Sequence, residues 1–190
     1  DYVAHYEDEP FRIKASGNAG NGSVTYAVTS VLEGDEDCIL VNAQTGFVTV
    51  NSVGKATITA TKAADELHEE ATAVTNIEVK PKSQTYNRPG LEEQYNLAFG
   101  KQVKDIVLPS EYQFEMDGET LLTQPGLQPL VIYYSPSDTV NYDWSGNAGY
   151  EADSQTGEVR IKDVLSVEVA KAQSQDASQI LKIELPQQVD

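Results

Sequence analysis

Four carboxylates crowd around one glycine in the stretch Glu33-Gly34-Asp35-Glu36-Asp37. Hard cations such as calcium bind through several oxygens, so Glu33, Asp35 and Asp37 are candidate calcium ligands. The stretch lacks the register of a helix-flanked calcium loop, and a solvated acidic loop is the plainer reading. A second group is aromatic: Tyr133, Tyr134, Tyr142, Trp144 and Tyr150. Flat rings beside Asn and Asp suit stacking on sugars, and Tyr134, Tyr142 and Trp144 are the candidate ligand residues. Alternation along a strand buries one of Tyr133 and Tyr134, and a lone tryptophan is more often core.

Catalytic chemistry finds less support. An enzyme needs a nucleophile with its base, a metal cluster or a phosphate cradle. His5 and His68 are the two histidines, and neither stands at ligand spacing from another His or Cys. Cys38 follows Glu36 and Asp37, whose charge raises a thiol's pKa, and precedes Ile39-Leu40-Val41. It reads as a small buried hydrophobe. The pairs Glu69-Glu70 and Glu92-Glu93 are adjacent, so on strands they diverge and stay solvated. No catalytic residue and no required cofactor are expected.

Charge narrows the partners. Lys and Arg total 13 against 30 Asp and Glu, a net charge of −17 over 190 residues. Such a field repels nucleic acid and anionic membrane surfaces. There is no signal-peptide-like apolar stretch and no run long enough to span a bilayer. A single cysteine forms no internal disulfide. The chain opens on a strand-like Asp1–Tyr6 and reads as a mature or trimmed piece whose targeting segments lie elsewhere.

The elements that must position these residues are strands. Thr45-Gly46 is a turn, after which Phe47 and Thr49 alternate with Val48 and Val50. A second turn at Asn51-Ser52 and Gly54 precedes Ala56, Ile58 and Ala60 alternating with Thr57, Thr59 and Thr61. Period-two alternation gives each run one apolar and one Thr-rich face, and the two runs are expected to pair as an antiparallel hairpin. Before them come Tyr2, Ala4 and Tyr6 in alternation, then Phe11, Ile13 and Ala15 facing a core, then Val24–Val28. A closing strand spans about residues 72–80. Roughly seven short strands in about eighty residues is the count of an Ig-like sandwich. Asp65 and Asp138 each open a tight corner by accepting hydrogen bonds from backbone N–H groups two or three residues on, and Tyr142 is expected to tie its corner through the hydroxyl.

The turns and strands from Thr45 to Asp65, with Ala71-Thr72-Ala73 and Ile77-Glu78-Val79, resemble the bacterial Ig-like repeats of tandem-repeat surface and adhesin-type proteins. Pro10–Ile13, Gly17–Gly22 and Val24–Val28 fit the same pattern, so the resemblance covers about residues 6–80. It implies an all-β chain of two tandem Ig-like β-sandwich domains, extracellular, on a bacterial cell surface or secreted. The implied role is non-enzymatic: spacing, display and a contribution to adhesion. The alternative is a carbohydrate-binding or accessory module of a secreted glycan-active protein. The implied partners are a surface ligand, a glycan or a host protein, together with neighbouring modules. Such repeats sometimes carry Lys–Asn crosslinks; Lys14 and Asn76 sit on suitable strands but face outwards, so none is expected.

The expected domains are 1–82 and 83–171, with 172–190 as linker and an extra strand at Ile180–Leu185. Pro81–Gln84 reads as a short linker, favouring a monomer with its domains end to end. In the second half, strands are expected at Gln94–Phe99, Ile106–Leu108, Gln113–Met116, Leu127–Tyr134 and Val159–Val169. Gln155–Val164 echoes Gln44–Val53, and residues around Tyr134–Tyr142 resemble a different repeat type found beside Ig-like repeats.

Overall fold

Ala56 and Ile58 are buried while Thr57 and Thr59 remain partly exposed, so the alternation read from the sequence sets this strand's facing. The computed structural model describes residues 1–17 and 20–172. In chain order the strands are β1 (Tyr2–His5), β2 (Phe11–Arg12), β3 (Val24–Gly34), β4 (Ile39–Val41), β5 (Phe47–Val50), β6 (Gly54–Lys62), β7 (Ala71–Lys80) and β8 (Lys82–Ser83). They continue as β9 (Tyr95–Leu97), β10 (Tyr112–Phe114), β11 (Gly126–Tyr134), β12 (Tyr142–Asp143), β13 (Tyr150–Ala152) and β14 (Val159–Val169). The fold is all-β. Of the described residues, those in 1–86 and 137–147 make one unit, and those in 87–136 and from 148 to 172 make the other.

The first unit is a two-sheet sandwich with strand orders β1-β7-β6-β3 and β2-β5-β4. Tyr26, Cys38, Ile39, Val48, Ala56, Ile58, Ile77 and Val79 form its core, with Phe11, Ile13 and Val28 packed against them. β5 and β6 do not form the expected hairpin: β5 pairs with β2 and β4, and β6 with β3 and β7. The linking residues carry the chain from one sheet to the other. Asn51 N and Ser52 N both donate to Cys38 O (2.9 and 3.2 Å), which turns the chain around the start of β4. Gly54 completes the crossing, because a Cβ there would lie 2.7 Å from Glu33 O and 2.9 Å from Cys38 Cβ. The stretch expected as linker contains β8, which runs parallel to β12 in the same unit.

The second unit holds one sheet of order β10-β11-β14-β13, with β9 also paired to β14. β11 and β14 run antiparallel from Gly126↔Val169 to Tyr134↔Ile161 and bury Leu130, Ile132, Leu165 and Val167. The strand expected at Ile106–Leu108 is absent. A 3-10 turn at Val103–Asp105 precedes it, and Ile106 is buried while Val107 is 84% exposed. The Ile180–Leu185 strand lies outside the described residues.

The sequence echo is also a structural one. Asn42 Oδ1 accepts from Gln44 N and Thr45 N, Gly46 has φ 71°, and Asn42 N donates to Phe47 O. In the second unit Asp153 Oδ1 accepts from Gln155 N and Thr156 N, Gly157 has φ 74°, and Asp153 N donates to Glu158 O. The shared Gln-Thr-Gly supplies the left-handed residue that closes each turn.

Candidate functional site

The aromatic candidates fall into two surroundings. Tyr134 is 8% exposed at the end of β11, where its ring meets Tyr112 at 5.1 Å, and burial pushes its hydroxyl's pKa up. Tyr133 faces the other way: its ring lies 4.2 Å below the Arg160 guanidinium and its hydroxyl donates to Glu115 Oε1 (2.9 Å). Lys162 donates to the same oxygen (3.0 Å), and Lys162 and Tyr133 together hold the Glu115 carboxyl below its ordinary value. Tyr142 and Trp144 belong to the first unit, within residues 137–147.

Asp138 organises that segment. Its Oδ1 accepts from Val140 N (3.1 Å) and Asn141 N (2.8 Å), the corner expected from sequence. Burial acts upward on the carboxyl, but the Asn141 N–H, the Asn141 amide and the Val140 N–H outweigh it, and the pKa is lowered. Trp144, not Tyr142, ties the corner: its indole Nε1 donates to Asp138 O at 2.8 Å. The Tyr142 hydroxyl reaches further, donating to Glu7 Oε1 at 2.6 Å. Lys82 Nζ donates to Glu7 Oε2 at 2.8 Å, and Glu7 adopts a left-handed φ of 63°. Lys82 and then Tyr142 lower the Glu7 pKa, and the accepting carboxylate raises that of Tyr142 to about 12. Tyr6 packs edge-on against Tyr142 (5.3 Å, 87°), which meets Trp144 at 6.4 Å and 66°. Asn141 Oδ1 accepts from Val53 N, and Asn147 joins Gln84 O to Tyr86 N. The cluster therefore pins residues 137–147 to their own unit, with rings set edge to face rather than as a flat ledge. Glu7 and Lys82 carried no sequence signal, since they lie 75 residues apart and the Tyr142 hydroxyl that Glu7 also accepts from is 135 residues away.

The acidic stretch is not gathered around a point. Glu33 lies within β3 opposite Lys55, and Asp35 O accepts from Cys38 N to close a turn. Among the described residues, no three His, Cys, Asp or Glu side chains converge as a metal site. Cys38 is fully buried, and desolvation first, then the Asp35 and Asp37 charges, push its thiol pKa up. At the second corner, Asp65 Oδ1 accepts from Leu67 N, His68 N and the His68 ring, while Oδ2 accepts from Asn21 N. The Leu67 N–H and the His68 side chain, followed by the other N–H donors, lower its pKa to about 2. A cleft of about 250 Å³ opens at one side of the sandwich, lined by Ile13, Ala15, Tyr26, Ile58, Ala60 and Val74 among others. Its lining mixes these apolar side chains with Lys14, Ser16 and Thr75, and holds no acid–base pair.

No protein family matches the chain, and no curated protein does. Among solved structures it is similar to Drosophila N-cadherin EC1–4, at 12% identity and a TM-score of 0.34, covering 90% of this chain and 48% of that one. It is similar to a SusE-like, surface-located polysaccharide-binding protein of the Bacteroides thetaiotaomicron heparin utilisation locus, at 11% identity and a TM-score of 0.29, covering 92% and 34%. Protocadherin gamma B2 extracellular domains 3–6 follow at 13% and 0.33, covering 91% and 50%. The chain thus spans half or less of these neighbours. The fold class rests on the strands themselves, and no helix among the described residues is long and apolar enough to cross a membrane.

Proposed function

We propose that the chain is a non-enzymatic extracellular segment of a bacterial cell-surface or secreted protein, serving to space and display rather than to transform a substrate. The observation that carries this reading is the Asx-closed Gln-Thr-Gly hairpin, present in both units, as a chain assembled from related β modules would carry it. The fate of the chemistry-bearing residues supports it as well. Asp65, Asp138 and Asp153 close turns, Glu7 holds Tyr142, and Glu115 braces a sheet face. The alternative glycan reading loses support because Tyr134 is buried in the second unit, while Tyr142 and Trp144 are engaged in the first. Antibodies against the purified chain, applied to intact and permeabilised cells of the producing organism, test the location. Labelling of intact cells, or recovery from the culture medium, is the expected result. Labelling only after permeabilisation refutes the reading.

A further inference from the structure

An exposed sheet edge invites a further strand, and most edges of this chain carry a feature that discourages one. β3 is interrupted by register shifts between Val28 and Ser30 and between Val31 and Glu33. The uncovered half of β11, residues 126–130, contains Pro129, which has no N–H to offer. The edge strands β1, β2, β4, β10 and β13 are two to four residues long. β7 differs. It pairs with β6 from Ala71 to Val79 without a register shift, while β1 covers its other side only from Ile77 onwards. The open half, residues 71–76, reads Ala-Thr-Ala-Val-Thr-Asn, with no charge, no proline and no bulge.

The backbone groups on this edge can be placed. Tyr6 N donates to Lys80 O, so Lys80 turns its backbone groups away from β6, and the even-numbered residues of β7 do the same. Asn76 stands beside the start of β1, where its side-chain amide donates to Asp1 Oδ1 (3.1 Å). Thr72 and Val74 lie beyond that point, and among the described residues no backbone group meets theirs from the open side. Val74 is 70% exposed. Beside the edge runs the cleft lined by Ile13, Lys14, Ala15, Ala73 and Thr75 among others.

We propose that this half-edge pairs with the same half-edge of a second copy of the chain, antiparallel about a twofold axis at Ala73. A weak, closed dimer then replaces the monomer expected from sequence. In that register Thr72 of each copy lies opposite Val74 of the other, and the two pairs exchange four backbone bonds. Every unpaired backbone group of Thr72 and Val74 is used, whereas a shift by two residues calls on groups of residue 70 or 76 instead. Thr and Val side chains also pair across the junction on the outer face. Charge favours the same occupant. Two chains of net charge −17 repel over most of their surface, and this strip is neutral. The second copy's Glu70 falls opposite Asn76, next to Thr75 and the cleft that Lys14 lines. Four bonds give a modest affinity, which suffices for copies displayed close together on one surface; the dimer's purpose rests on that reading.

The experiment is sedimentation of the full chain over a concentration series at high salt, which screens repulsion between the acidic copies. The coefficient is expected to rise reversibly from monomer to dimer by millimolar concentration and to stop there, because a twofold contact closes on itself. A monomer throughout, or growth beyond the dimer, overturns the proposal. Thr72→Pro removes an N–H that β6 does not use, and by symmetry two of the four bonds. It is expected to weaken the dimer roughly thirtyfold, about fivefold for each bond, and an unchanged dimer overturns the pairing. Introduced cysteines report the register. Ala73 meets its own copy in a non-hydrogen-bonded pair with Cα atoms about 4.5 Å apart, within reach of a disulfide. Ala73→Cys is therefore expected to oxidise to a covalent dimer faster than Val74→Cys or Thr75→Cys, with the fully buried Cys38 present in all three. Equal rates at the three positions overturn the pairing, and this comparison decides if Thr72→Pro fails to fold. Surface labelling of cells is indifferent to these results, so failure of the dimer and failure of the extracellular reading are told apart.

Discussion

Emptying the Ile58 site tests both the register of β6 and the two-sheet packing. Ile58 is 1% exposed and sits in the core cluster with Tyr26, Ile39, Val48 and Ile77. Ile58→Ala removes buried methyl and methylene groups, for which core truncations lose about 2–5 kcal/mol. Ile58 also lines the cleft at the side of the sandwich, where neighbours can relax into the space, so about 2–3 kcal/mol is expected. Its neighbour Thr59 faces the other way, and its Oγ1 lies 2.9 Å from Thr29 Oγ1. Thr59→Ala loses that exposed bond and some strand preference, about 1 kcal/mol together. Trp144 is the chain's one tryptophan and belongs to the first unit, so its fluorescence during urea unfolding reports that unit. The midpoint should fall clearly in Ile58→Ala and only slightly in Thr59→Ala, with the slope unchanged in both. Equal losses, or the larger loss at Thr59, would refute the facing and the sandwich built on it.

Other outcomes follow from the polar turns. Asp65, with its pKa at about 2, favours folding while ionised, so its contribution is present above the unfolded value of 3.8 and is lost as pH falls towards 2. The acid transition of Trp144 fluorescence should therefore flatten in Asp65→Asn, and an unaltered transition would contradict this. Tyr142, raised to about 12, favours folding while protonated, and that contribution is lost as pH climbs from 10 towards 12. Ultraviolet titration should show one tyrosine ionising late, and Glu7→Gln should move it earlier. Asp153 is held below 3.8 by the Thr156 and Gln155 N–H groups, so the second unit's turn weakens in acid, whereas the neutral Asn42 turn does not. Amide exchange at Thr156 and Thr45 across pH 2 to 6 separates them. Millimolar calcium should leave the melting temperature unchanged, because Glu33 lies opposite Lys55 within β3 while Asp35 closes a turn.

Much of the fold was legible because it is written in alternation. The facing of Ile58, the burial of Ala4 and the extent of β14 all follow from period two. Pairing partners were not, because alternation shows which side is apolar and not which sheet lies beside it. Val48 and Ile58 point into one core from opposite sheets, and the crossing depends on Cys38 O and the missing side chain of Gly54. The Asp138 corner was legible from a local motif, but the roles of Tyr142 and Trp144 were not. One hydroxyl reaches Glu7 at the far end of the sequence, and one indole reaches back to Asp138 O. Likewise β13 is three residues long and exists only through its pairing with β14. Ile106–Leu108 looked like a strand because three apolar residues in a row do not reveal that one of them faces solvent.

The most direct test of the account is binding by the intact chain to arrays of glycans and extracellular proteins, alongside Trp144→Ala and Tyr142→Phe. A spacing and display segment predicts no saturable binding by any of the three. Saturable binding to a sugar or protein that is lost in Trp144→Ala, while urea unfolding followed by circular dichroism shows that variant still folded, would contradict it.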